Sequence, residues 1–106
     1  MNPQVESNQL ILSGTVTEVL GLRYTPGGVP HYSFMLEHRS RQEEAGVARE
    51  VLCRIKVEAR GREITEHCEP LAVSDRLQVT GFLSRRNYKD SSATQLVLHA
   101  QHIELR

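Results

Sequence analysis

Apolar positions in this chain recur every second residue, the period of half-buried β-strands rather than of helices. The first run, about Gln9 to Leu20, puts Leu10, Leu12, Gly14 and Val16 on one face and Ile11, Ser13, Thr15 and Thr17 on the other. Tyr24 to Pro30 (YTPGGVP) reads as a turn, because proline fixes φ and the paired glycines permit positive φ. A second strand spans about His31 to Arg39, with Tyr32, Phe34 and Leu36 facing inward. Ser40 to Gly46 is polar and reads as a loop. A third strand, about Ala48 to Ala59, carries an apolar stripe of Val51, Cys53, Ile55 and Val57 against an outer row of Leu52, Arg54, Lys56 and Glu58. Alternation breaks over Gly61 to Leu71, where Ile64 to Cys68 fits one or two helical turns before Pro70. The fourth strand is about Asp75 to Ser84, with Leu77, Val79, Gly81 and Leu83 alternating. Arg85 to Ala93 reads as a hairpin loop, and Thr94 to Glu104 as a fifth strand with Leu96, Leu98 and Ala100 inward.

Five strands with a short helical segment between the third and fourth is the order of an OB-fold, a small all-β barrel. Gly14 and Gly81 suit the bends that closure requires. An SH3-like barrel or an open meander fits the same alternation. At 106 residues the chain has room for one domain, expected as a single barrel with residues 1–8 as a flexible lead-in.

Composition narrows the class. With 39% hydrophobic and 25% charged residues the chain is neither disordered nor collagen-like. No apolar run approaches the ~20 residues of a membrane helix, and the N-terminus lacks the basic and apolar regions of a secretory signal. Cys53 and Cys68 are too few for a disulfide scaffold and match no zinc spacing. Reduced thiols in a cytoplasmic protein are the expectation.

No nucleophile elbow, phosphate loop or dinucleotide fingerprint is present, and the five histidines show no metal-ligand spacing. His99 and His102 are expected on opposite faces of the last strand. Nothing points to an enzyme, a cofactor or a metal.

The net charge is zero, but eleven of the thirteen basic residues are arginine. Guanidinium can fork onto phosphate and stack on a base, which ammonium cannot. Barrels that bind single strands set a basic groove beside flat π-faces. Leu52, Arg54 and Lys56 on the third strand's outer row, and Arg85, Arg86, Tyr88 and Lys89 in the last loop, are the candidate surface. Aromatics are scarce, with two Phe, three Tyr and no Trp. Phe82 alternates away from the core, toward the groove or a partner subunit. Binding is therefore expected to be modest and steeply salt-dependent.

Particular segments carry a resemblance. LILSGTV, RYTPGGVPHYSFMLEHRS and RLQVTGFLS are similar to the bacterial single-stranded-DNA-binding protein family; LEHRSRQEEAG and LVLHAQHIEL resemble its primosomal branch. The resemblance covers about Leu10 to Leu105. It implies an OB-fold homodimer that binds single-stranded DNA without sequence preference and acts in replication restart with the PriA helicase and DnaT. Matched by position, it adds Arg23 and Arg39 as basic contacts and supports Lys89. General binders of the family carry a long Gly/Gln/Pro-rich extension with an acidic tip; this chain ends at Arg106, just past the fifth strand, so that tail is expected to be lacking. Leu52 stands where better-known members have tryptophan, Val47 where they have another aromatic, and Asn87 and Gln95 where they have lysines. Those departures leave two functions in view: a DNA-binding accessory factor, or an adaptor that mainly contacts the restart proteins and binds DNA weakly. A tail-less general single-strand binder is the third reading.

Overall fold

A computed structural model describes residues 6–86 and 95–106. Its elements are β1 (Leu10–Tyr24), β2 (Pro30–Glu44), β3 (Val47–Arg60), α1 (Arg62–Cys68), β4 (Arg76–Arg85) and β5 (Leu96–Leu105). The five strands close into a barrel in the order β1-β2-β3-β5-β4. All ladders are antiparallel except the closing one, where Lys56, Val57 and Glu58 run parallel to Val97, Leu98 and His99.

β1 serves two neighbours. Its first half pairs with β4 from Leu10↔Gly81 to Thr15↔Arg76, and its second half pairs with β2. Register shifts between Val16 and Glu18 and between Val19 and Gly21 let one strand bend between them. The shifts explain why β1 runs four residues beyond the alternation that announced it. The turn to β2 closes with Thr25 N–H donating to Val29 O at 2.9 Å and Gly28 N–H to Thr25 O at 2.8 Å.

The inward rows match the alternation. Val16, Tyr32, Phe34, Leu36, Val57, Ala59, Leu77, Val79, Leu98 and Ala100 are buried in one cluster. Each large side chain here contributes about 1.5–3 kcal/mol relative to exposure. α1 plugs one end with buried Cys68 and Thr65, and Thr65 Oγ1 donates to Gly61 O at 2.8 Å. Burial pushes the Cys68 thiol up to about 12, so it carries no thiolate at neutral pH.

Four expectations are corrected. Ser40–Gly46 is not a loop: β2 continues to Glu44, and the connection is the two-residue turn Ala45-Gly46, both with positive φ. The resulting ribbon projects past the barrel, so Cys53 and Val51, expected inward, have no core beneath them, and Cys53 is exposed. In β5, Leu96 is exposed and Val97 buried, the reverse of the expectation for those two residues, because Leu96 pairs with Arg85 at the rim. Finally, Thr80 pairs with His102 but Gly81 with Ala100, leaving Gln101 as an extra residue. That irregularity reverses parity, so His99, opposite Phe82, and His102, opposite Thr80, share the outer face.

Candidate nucleic-acid interface

β2 and β3 stay in register over fourteen residue pairs, from His31↔Arg60 to Glu44↔Val47, which aligns their outward side chains in rows. Arg39 lies directly opposite Leu52, Glu37 opposite Arg54, and Met35 opposite Lys56. Arg39, Leu52, Arg54 and Lys56 therefore share the barrel's outer wall. Leu52 is 58% exposed, an apolar surface between two guanidiniums.

Their surroundings differ. Arg39 Nε lies 3.2 Å from Glu37 Oε1, though its side chain stays largely open to solvent. Arg54 Nη2 donates to Thr17 Oγ1 at 3.3 Å, reaching across β2 to the bulged residue of β1. Among the described residues Arg54 makes no ion pair, so its charge remains available. Lys56 is half-buried, with Nζ 3.4 Å from Glu58 Oε1. On the other side of that carboxylate, His31 Nε2 lies 3.2 Å from Glu58 Oε2, a contact outside hydrogen-bond geometry. Burial alone would raise the Glu58 carboxyl; the combined pull of His31 and Lys56 outweighs it and holds the group below its ordinary value. Lys56 thus neutralises a neighbour and is a weaker phosphate ligand than Arg54.

The described ends of β4 and β5 lie beside this wall. Arg85 pairs with Leu96, one residue before Val97, and Val97 pairs with Lys56. Arg86 N–H donates to Gln95 O at 3.0 Å, and its Nη1 donates to Gln95 Oε1 at 2.8 Å. Gln95 thus orients an arginine. Tyr88 and Lys89, the loop's other candidates, lie outside the described residues.

Arg23 shares the outer face but not the cluster. It pairs with His31, eight positions along β2 from Arg39, roughly 26 Å at ~3.3 Å per residue. Two residues escaped sequence reasoning. Arg60 continues the row of Leu52, Arg54, Lys56 and Glu58 by alternation, one residue past the expected end of its strand. Thr17 gave no signal, because its place depends on the bulge.

Further around the wall, Phe82 and His99 stack with centroids 4.9 Å apart and planes inclined by 14°. Burial pushes the His99 imidazole below its ordinary value, and that favours the uncharged ring. Among the described residues no helix is long and apolar enough to cross a membrane.

An exposed wall of forked cations around an apolar platform suits a polyanion with flat bases. Comparison with known proteins gives the family. A family described as "another single-strand binding protein family" matches residues 8–102. The replication restart protein PriB of Photorhabdus laumondii is 43% identical over 99 residues, covering 93% of each chain. The solved structure of priB from Ralstonia solanacearum superposes with a TM-score of 0.80 at 30% identity, covering 95% of this chain and 100% of that one. The single-stranded DNA binding protein of Thermus aquaticus reaches a TM-score of 0.75 at 29% identity, over 94% of this chain and 50% of the other.

Proposed function

The chain belongs to the single-strand binding protein family, in its PriB replication-restart branch, and on that premise we propose that it binds single-stranded DNA through the outer wall of β2 and β3. The strand's phosphates meet Arg39, Arg54, Arg85 and Arg86, with Tyr88, Lys89 and Arg23 as further contacts, and bases lie against Leu52. Guanidiniums placed on phosphates and a leucine against base faces leave the base edges unread, so binding is sequence-tolerant. The protein works as a cytoplasmic homodimer in replication restart, beside the PriA helicase and DnaT, and has no catalytic role.

The observation that carries this reading is the Arg39–Leu52–Arg54 row, exposed and in register on one face. A labelled oligothymidylate titrated at two salt concentrations tests it. Each neutralised phosphate contributes about 0.7 to the slope of log K against log salt for single strands, so the four arginines alone predict a slope near −3, and each further cation steepens it by about 0.7. No saturable binding at ~50 mM salt overturns the reading.

A second reading, an adaptor for PriA and DnaT with weak DNA binding, draws on Leu52 and on the carboxylates Glu37 and Glu58 among the cations. The same titration separates the two. Weak binding that tightens sharply when the helicase is added favours the adaptor.

A further inference from the structure

At the far end of the same wall, three strands and the helix start bring together cations that the Arg39–Leu52–Arg54 cluster does not include. Arg23 pairs with His31, and His31 pairs with Arg60, so the three form one row across β1, β2 and β3. Gly61, with φ of 107°, turns the chain immediately after Arg60, and its N–H is fixed to Pro30 O at 2.9 Å. Arg62 follows at the start of α1. Arg60 and Arg62 line one open groove of about 810 Å³. Arg23, Arg60 and Arg62 are exposed, and among the described residues none of them makes an ion pair.

The carboxylates here do not cancel them. Glu58 lines the groove but already faces Lys56 at 3.4 Å and His31 at 3.2 Å. Glu63 is the other groove carboxylate. Three guanidiniums against Glu63 and Glu66, the latter one helical turn after Arg62, leave a small positive excess at this end of a chain whose formal charge is zero. Between the two ends, the Met35–Lys56 and Ser33–Glu58 rows carry no surplus charge.

We propose that Arg23, Arg60 and Arg62 form a second phosphate-binding end of the single-strand path, so that one strand lies along the whole length of the β2–β3 wall. This rests on the DNA-binding reading above and extends it. The two ends are eight residues apart along β2, roughly 26 Å at ~3.3 Å per residue. A stacked single strand advances about 3.4 Å per nucleotide, so about eight nucleotides bridge the ends, within the ~4–16 accommodated by barrels of this kind.

Oligothymidylates of increasing length test this against wild type, an Arg23→Gln/Arg60→Gln/Arg62→Gln variant and an Arg39→Gln/Arg54→Gln variant. For wild type, affinity climbs with length until about eight nucleotides engage both ends of one wall. In the triple variant the climb stops near the shortest binding length, and the salt slope for long oligomers falls by about 2. Thermal unfolding is read in parallel, and unchanged melting separates lost contacts from lost structure. Should the triple variant match wild type for long oligomers while the double variant is weakened, the second end is refuted and the first stands. Should wild type fail to bind any length, both fall together.

Discussion

At the residue scale, the wall's most consequential position is Leu52. It sits directly opposite Arg39, two residues before Arg54, and more than half of it is exposed. A leucine there offers apolar contact but no π-face. Base–aromatic stacking is worth about 1–3 kcal/mol per base. Leu52→Trp is therefore expected to tighten oligothymidylate binding by about tenfold or more, with little change in salt slope, since no phosphate contact is added. Equal affinities for variant and wild type would place this position off the strand's path. Arg54 is the cation best placed beside that ring, because its guanidinium reaches Thr17 rather than a carboxylate. Lys56 is held differently. Its ammonium shares Glu58 with His31, and the carboxylate's lowered value makes this cluster a stability element of the wall. Glu58 stabilises the fold above the ordinary carboxylate value of 4.5, and that contribution is lost as pH falls through its lower folded value.

At the element scale, the strands were legible wherever one face is buried. Tyr32, Phe34 and Leu36 on β2, and Leu77 and Val79 on β4, announce their inward rows because water and core lie on opposite sides. The projecting half of the β2–β3 ribbon has solvent on both faces, so its sequence reads as loop. It is held by cross-strand pairs such as Arg41 Nη2 to Glu50 Oε1 at 2.8 Å and Arg49 with Glu44, and polar pairs leave no apolar period. The outer row of Arg54 and Lys56 followed from alternation. Arg23 and Arg39 came only through resemblance. The shared face of His99 and His102 was not legible, since one irregularity at Gln101 reverses parity without a residue that marks it. Gly81 sits opposite that irregularity, and the sequence hinted at it for a related reason. A Cβ on Gly81 would collide with the backbone carbonyl of His99, and one on Gly14 would collide with the carbonyl of Glu37. Backbone crowding, rather than positive φ, is what these two glycines accommodate. Gly81→Ala is expected to destabilise the barrel by about 2–3 kcal/mol as the β4–β5 ladder shifts. Chemical denaturation reads it directly, and a loss below half a kcal/mol would show that the strands can part there without strain.

At the scale of the whole molecule, a formal charge of zero gives DNA no long-range pull, so binding rests on how many local contacts one strand can make at once. A single wall supplies few. A second copy would double them, and the outer surface carries a candidate seam on β1 and β4, whose Phe82 also borders the Arg60–Arg62 groove. Ile11 is 59% exposed on β1, opposite Thr80, and Phe82, two residues further along β4, is 37% exposed. These diagonal neighbours form an apolar patch on a part of the barrel where solvent exposure earns nothing. A stable pairing would need to bury about 1,000 Å² or more in total, which requires the patch and its polar surroundings on both copies. Sedimentation equilibrium on wild type is expected to show a dimer at micromolar concentration, and Ile11→Glu a monomer with an intact far-ultraviolet dichroism spectrum. Because joined walls raise the effective concentration of the second site, the monomeric variant should lose about tenfold or more in affinity for an oligomer long enough to cross both walls. Its affinity for a strand that fills one wall should be unchanged. A monomeric wild type would remove the pairing, whereas an equal loss for short and long strands would mean that Ile11 supports the wall itself rather than a subunit contact.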